Sequence, residues 1–560
     1  MRIQEQNINK TLIWFLAISA VVRTVLAAWM EFGNDEVYYW TYALYPDWSH
    51  FDHPPMVGWV IQIFSLNLLL DSEFFIRLAS IVFMTANTYI IFKIGKTIKD
   101  ARTGLYAALL FTASIYAFVI TGIFIMPDTP LMLFWLLAAR MAIKYFEVKV
   151  PEPSVPEYVK RVEGPTDSKT VLRYFDKFST QQPKFLLLFG LFAGLAMLSK
   201  YSGIFLWVGM ALYILFFNRK QLKNPYLYLA LLISAICCIP ILYWNIQNNF
   251  ISFSFHSARV GGNKLNFSSF GTEIAGEFFY NNPVNFILAI IAVVATFKKK
   301  LHLDRHVQRL VLCIALPMMV VFLYFSLTRP TLPHWNAPAY VLLILLSAVY
   351  LRDKLSKSDK LPKFIIAALA VLVIILVIGV AEIKTGFIPL DKHNEPEMVG
   401  RDDFTVDMYG WRQLGEKFAD FRAQKIAEGI MKEEDGIVAN QWFPLANLDY
   451  YVARPLGMRV MGLGWPEQLH KYLWINDERG GFHIGENYWF LSDSRYMKDP
   501  KTTYQWYFKE IELVGVIPIE RNGKTAKNFF VYTCKDLMEI PPTLKDFRAA
   551  SGETATASHQ

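Results

Sequence analysis

Residues 34–55 read NDEVYYWTYALYPDWSHFDHPP, a stretch rich in acids and aromatic residues that ends in His-Pro-Pro and contains no Lys or Arg. It follows the first apolar run, at residues 11–30, almost at once. Tyr and Trp of this density belong at the level where a bilayer meets water. Carboxylates gathered there without cations put the chemistry to be explained at a membrane surface, and that placement points to catalysis.

Composition sets the class. Hydrophobic residues make up 54% of 560 positions, and mean hydropathy is +0.27. Apolar runs of roughly 17 to 22 residues recur, as spanning helices require. They predict about eleven transmembrane helices, near residues 11–30, 75–95, 104–122, 129–146, 184–199, 202–217, 226–247, 284–297, 308–325, 335–351 and 362–381. Residues 56–70 are also apolar, but Pro54 and Pro55 precede them and Asp71 and Glu73 follow. About fifteen residues are short for a span, so this segment reads as an interfacial or re-entrant helix.

Lys and Arg placement tests that count, because cytoplasmic loops accumulate positive charge. With the N-terminus inside, the inner gaps hold Lys93, Lys96, Lys99, Arg102, nine cations from Arg140 to Lys184, Arg219, Lys220, Lys223, Lys298 to Lys300, Arg305, Arg352, Lys354, Lys357 and Lys360. The short outer loops carry Lys200, Arg259, Lys264 and Arg329, and none lies between Glu31 and Phe74. A span at 56–70 would reverse every later loop and destroy the asymmetry. The net charge of +8 is therefore topology and contact with anionic membrane lipids, and no nucleic-acid partner is expected. The first apolar run lacks a small-residue cleavage site and reads as a retained helix.

The chain divides into a transmembrane domain at 1–384, with outer-face juxtamembrane helices at 31–74, an exported α/β domain at 385–548 and a disordered tail at 549–560. The late domain is large enough for its own core. Its expected elements are a helix at 410–428, a strand at 436–440, a helix at 445–451, a strand at 487–492 and a hairpin of 513–520 with 528–533. Asn522-Gly523 is the turn pair of that hairpin. The inner loop at 149–184 reads as irregular, with a surface helix near 171–178. Cys237, Cys238 and Cys313 fall in expected helices and Cys534 stands alone, so no disulfide framework follows.

Asp35 and Glu36 begin an expected helix, where acids also serve its positive end; either could act as a general base. Tyr38 and Tyr39 follow as cleft residues. Asp128, in MPDTP, recurs at the outer end of the third span and could cap the fourth helix, with Pro130 in its first turn. Capping and catalysis are compatible. Lys200 could snorkel to the interface, and Arg259 and Arg329 could be loop charges. In a chain that keeps cations off this face, an anionic ligand such as a lipid-linked phosphate supplies a reason for each. Arg77 reads as an ion-pair partner. His53, His256, His334 and Tyr201 fall on the same face. Their loops lack an HExxH-like spacing, so no metal site is assigned. A divalent cation held by His and Asp is the alternative, and no cofactor is required.

The ordered motifs NDEVYYW (34–40), FDHPPMVGW (51–59), EFFIRL (73–78), MPDTPLMLFW (126–135), LSKYSG (198–203), WNIQNNFISFSFH (244–256) and RPTLPHWNAPAY (329–340) resemble the bacterial membrane glycosyltransferases of the C-type (GT-C) superfamily. That group is related to protein O-mannosyltransferases and to the transferase that adds aminoarabinose to lipid A. The resemblance spans about residues 10–350 and extends weakly to the late domain. It implies a sugar donor on polyprenyl or dolichyl phosphate, an acceptor lipid or protein, and inverting transfer on the periplasmic face of a bacterial inner membrane. The family's first acid falls on Asp35, with Glu36 beside it, and its second on Asp128. Its donor-phosphate contacts fall on Lys200 and Arg259, assisted by His53, His334 and Arg329. His53 stands where the lipid A branch has Lys, which implies weaker or pH-dependent phosphate binding there.

A transporter or flippase is the rival from another class. Transporters place charges at the midplane, often beside paired broken helices, whereas these charges sit at outer helix ends. A membrane anchor presenting an exported domain would need only one span.

Overall fold

Long apolar runs have one way to satisfy their backbone groups inside a bilayer, which is to form helices. The computed structural model describes residues 4–146, 182–258, 264–355 and 359–547. The expected surface helix near 171–178, Arg259 and the tail at 549–560 lie outside them. The membrane part is built from α1 (Ile8–Trp29), α2 (Asn34–Leu44), α3 (Met56–Phe64), α4 (Glu73–Ile98), α5 (Ala101–Ala113), α6 (Asp128–Phe146), α7 (Gln182–Ser199) and α8 (Phe205–Phe217). It continues through α9 (Pro225–Cys237), α10 (Ile239–Gln247), α11 (Ile251–Ala258), α12 (Phe267–Tyr280), α13 (Pro283–Phe297), α14 (Arg305–Ser326), α15 (Ala337–Lys354) and α16 (Lys363–Thr385).

Among the described residues, six helices are long and apolar enough to cross a membrane, and two bent pairs bring the number to eight. The helices of residues 183–199 and 201–217 are apolar but shorter. All eleven expected segments fall on helices, yet two differ in form. The third breaks where Ser114 turns extended and a π-helical turn, Tyr116–Ile120, follows. The Ala113 carbonyl freed by that break accepts Asn282 Nδ2–H at 2.9 Å. The seventh bends by 43° between α9 and α10, where Pro240 cannot donate a backbone hydrogen bond. Residues 56–70 give only the nine-residue α3, about 13 Å long and too short to span.

Two close approaches need glycine. A Cβ on Gly95 would lie 2.7 Å from Gly104 Cα, between α4 and α5, and one on Gly58 would lie 2.8 Å from Tyr42 Cβ, between α3 and α2. The second contact presses α3 against the helix that carries the acids.

After α16, which ends at the left-handed Gly386, the chain forms a five-stranded sheet. Its strands are β1 (Gly436–Ala439), β2 (Val460–Gly462), β3 (Tyr488–Asp493), β4 (Phe508–Arg521) and β5 (Lys524–Leu537), in the order β2-β1-β3-β5-β4. β1 is parallel to β2 and β3, and β5 is antiparallel to β3 and β4. The hairpin turns at Asn522 and Gly523 with φ of 52° and 74°, as the Asn-Gly pair predicts. Helices α17 (Trp411–Ala427), α18 (Trp442–Leu448) and α19 (Tyr472–Glu478) accompany the sheet. Trp411, Leu414 and Phe418 of α17 share one core with Phe32, Val37 and Tyr38 of the membrane part.

Polar contacts fix this docking. Trp411 N–H donates to Glu31 at 2.8 Å, Phe32 N–H to Tyr451 Oη at 2.7 Å, and Arg412 pairs with Glu73 at 2.6 Å. The sheet domain therefore lies over α2 and the loop at 46–55.

Candidate active site

The acids converge because α2 starts directly above the outer end of α1. Gly33 N–H donates to Glu36 at 3.0 Å across the first turn of α2, and the acids face the positive helix end. Glu36 itself is spent on structure. Its carboxylate accepts Arg77 Nε at 2.7 Å and Nη2 at 2.6 Å, and also Ile125 N–H at 3.1 Å. Arg77 donates further to the carbonyls of Ala27, Met30 and Glu31 at 2.7 to 3.0 Å. Those are carbonyls at the end of α1, where a helix leaves acceptors unfilled. One fully buried guanidinium thus locks α1, α2 and α4 together.

Asp128 begins α6, and its carboxylate does not cap that helix. Oδ1 accepts Tyr116 Oη–H at 2.9 Å and Oδ2 accepts Lys200 Nζ at 2.7 Å. Lys200 follows the last turn of α7, where a cation suits the helix dipole, and its side chain is 9% exposed.

Asp52, which sequence reasoning passed over, accepts hydrogen bonds from Tyr38 Oη at 2.8 Å and from Tyr42 Oη. Tyr38 and Tyr42 share one face of α2 at i, i+4 spacing, a signal visible in the sequence. Burial pushes the Asp52 carboxyl upward, but His53, His470 and the two phenols outweigh it and leave it below the usual range.

Asp35 differs from all three. Among the described residues it has no hydrogen bond and no ion pair, and its side chain is exposed while Glu36 is 1% exposed. Protein encloses the position, so the carboxylate stands in a cleft. Loss of solvation first, then the negative neighbours Asp52, Glu36 and Asp128 against the opposing Lys200, push it up to about 6. Two acids of one cleft are thus driven apart, one fixed as an anion and one poised near neutrality, the pattern that marks a base.

Of the remaining expected residues, Tyr39, His53, Tyr201, His256 and His334 fall around this centre. The Tyr39 ring lies 5.7 Å from His53, and His256 lies 6.4 Å from His53 and 5.0 Å from Tyr201. His256 Nε2 meets the Asp52 carbonyl at 2.8 Å, and Tyr201 Oη meets Ser252 Oγ at 2.8 Å. His334, 6.0 Å from Tyr280, is within electrostatic reach of Asp128 and Lys200. Arg329 is half-buried just past α14, next to the turn in which Thr331 donates to Glu273 at 2.7 Å. Burial lowers His53 to about 3, so it is a neutral imidazole at working pH.

The sheet domain adds residues that no local pattern announced. Trp442 lies 5.0 Å from Tyr38, and His470 5.1 Å from Phe51 and 5.5 Å from Phe255. The buried Lys471 donates from Nζ to His50 Nδ1 at 2.7 Å. Its desolvation lowers it to about 7 against the pull of Asp47, Glu478 and Asp52. These side chains roof the loop that carries Asp52 and His53.

Comparison with known proteins places the chain among the following similar proteins. The family model described as dolichyl-phosphate-mannose-protein mannosyltransferase matches residues 52–150 and 170–244. Lipid A galacturonosyltransferase RgtD of Rhizobium johnstonii (strain DSM 114642 / LMG 32736 / 3841) is 20% identical over 441 residues, 76% of this chain and 81% of that protein. The crystal structure of ArnT from Cupriavidus metallidurans in the apo state superposes with a TM-score of 0.60 at 13% identity, covering 94% of this chain and 98% of that one. Its form bound to undecaprenyl phosphate gives 0.57 at 14%, covering 93% and 98%. The fold is thus that of the two ArnT structures, a helical membrane part followed by a sheet domain. The resemblance drawn from the motifs is to glycosyltransferases, and the transporter reading gains no support.

Proposed function

We propose that this chain is a glycosyltransferase that moves a sugar from a polyprenyl-phosphate donor to an acceptor lipid, such as lipid A, or to a protein. It works on the periplasmic face of a bacterial inner membrane, with its N-terminus cytoplasmic and its sheet domain outside. The observation that carries the proposal is Asp35, a carboxylate with no hydrogen bond or ion pair among the described residues, poised near neutrality beside three acids that each hold side-chain partners. The family model and the lipid A transferase similarity supply the substrate class.

Asp35 takes the proton of the acceptor hydroxyl while that oxygen attacks the anomeric carbon. The bond from that carbon to the lipid phosphate breaks on the opposite side, giving inversion in one displacement. Lys200 meets the charge developing on the departing phosphate. An ammonium has three N–H donors, and Asp128 uses one while aiming the others, so Asp128 is a positioning residue. Arg259 and Arg329 add charge, and neutral His53 and His334 add hydrogen bonds. Such preorganised donors in a water-poor cleft are worth a few kcal/mol each. Glu36 anchors the floor through Arg77, and the aromatic roof under the sheet domain selects the acceptor.

No nucleotide takes part, because the lipid phosphate is the leaving group. No step is routed through a metal, since the loops lack an HExxH-like spacing and both carboxylate oxygens of Glu36 and of Asp128 are engaged by Arg77, Tyr116 and Lys200. Among the described residues the group able to hold a cation is Asp391, His393 and Asp402, past α16 and outside this site.

The test is transfer by the purified, reconstituted chain from a panel of polyprenyl-phosphate sugars and the corresponding nucleotide sugars, with and without EDTA. Transfer from a lipid-linked donor alone, unchanged by EDTA, is expected. Transfer from the nucleotide sugars instead, or none after chelation, overturns the proposal. The paired change Lys200→Met with Asp128→Asn removes a phosphate contact without stranding a buried charge. It should raise the donor KM by about 10- to 100-fold, the worth of one charged hydrogen bond, and an unchanged KM removes Lys200 from the phosphate site.

A further inference from the structure

A cavity of about 780 Å³ opens at the far end of the helix bundle from Asp35. It lies between the last turns of α8 and α13 and the first four turns of α14. α14 is 22 residues long, about 33 Å at 1.5 Å per residue, so a bilayer's thickness separates Arg305 at its start from the outer loops holding Arg329 and His334. Its walls are apolar, with Leu312, Leu316 and Pro317 among them. At its borders Phe216, Phe297 and Val320 are 64% to 69% exposed, a surface that only hydrocarbon covers well.

Three cations line the same cavity: Lys299, Arg305 and Arg309. Among the described residues none of them has an ion pair or a side-chain hydrogen bond. Arg309 is steered by its guanidinium stacking 4.7 Å above the Phe217 ring. The adjacent acid, Asp304, is occupied in capping α14, accepting His306 N–H at 2.7 Å and Val307 N–H at 3.1 Å. Unpaired cations beside an apolar hollow facing lipid are electrostatically incomplete, and a ligand with an anionic head and hydrocarbon chains completes them.

We propose that this cavity is a binding site for one anionic glycerophospholipid of the leaflet opposite the active site. Its phosphate lies among Lys299, Arg305 and Arg309, and an acyl chain fills the hollow between α8, α13 and α14. The volume falls in the range of sites that enclose most of a small ligand. A free phosphate would leave the apolar walls unfilled, and a zwitterionic lipid would leave the positive charge uncompensated.

Native mass spectrometry of the full-length protein, after exchange into detergent carrying equal phosphatidylglycerol and phosphatidylcholine, tests this. Wild type should retain phosphatidylglycerol with about tenfold preference. Arg305→Ala with Arg309→Ala should reduce retention to the phosphatidylcholine level, and Arg305→Lys with Arg309→Lys should keep the preference, which separates lost charge from lost fold. Undecaprenyl phosphate binding at the outer site should be the same in all three proteins. Equal retention of both lipids by wild type, or an undiminished preference in the Ala pair, overturns the site.

Discussion

Asp35→Asn is expected to lower kcat by about 10² to 10⁴, the range over which a general base contributes, while leaving expression, thermal stability and donor affinity close to wild type. The separation follows from the geometry. Among the described residues Asp35 has no hydrogen bond or ion pair to lose, and its side chain is exposed in the cleft, so amide for carboxylate removes a proton acceptor and nothing structural. Asp128→Asn should behave differently, disturbing Lys200 and hence donor KM, because its two oxygens hold Lys200 and Tyr116. Steady-state kinetics with a lipid-linked donor distinguish the two. Full kcat in Asp35→Asn removes the base assignment.

The largest effect on the fold is expected from Arg77→Ala. Breaking a buried ion pair by deleting one partner costs about 3 to 5 kcal/mol, because Glu36 would be left charged and buried at 1% exposure. Three backbone carbonyls at the end of α1 would lose their donor as well. The variant should be recovered poorly from membranes and melt well below wild type. Joint replacement by Arg77→Met and Glu36→Leu removes both charges and should recover part of the loss. Fluorescence-detected gel filtration over a temperature series reads both outcomes. A single-variant melting temperature equal to wild type would show that the network is dispensable.

Much of this was legible in the sequence because the bilayer imposes simple rules. Apolar runs gave the helices, and the absence of Lys and Arg between Glu31 and Phe74 marked the face with the acids. The Asn522-Gly523 turn marked the β4–β5 hairpin through its need for positive φ. What stayed hidden depends on partners remote in the chain. Glu36 and Asp35 are neighbours of the same type, and only Arg77, 41 residues away, decides which is structural. That Lys200 is also held by Asp128 depends on a contact across 72 residues. Lys471 reaches His50 across 421 residues. Strand β2 has three residues, too few for an alternation to show, so the sheet order could not be read either. The break in the third span depends on Asn282 filling the Ala113 carbonyl, a contact between distant helices.

Asp35, a carboxylate held near neutrality, is assigned as the group that receives the proton of the acceptor hydroxyl. The most direct test of that assignment is the pH dependence of the single-turnover transfer rate at saturating donor. The active form is the carboxylate, so the rate should fall tenfold per pH unit below the group's pKa and level off above it. The bend should come at about 6 in wild type and be absent from the residual activity of Asp35→Asn. A flat profile through that region in wild type, or the same acid limb surviving in Asp35→Asn, would contradict the account.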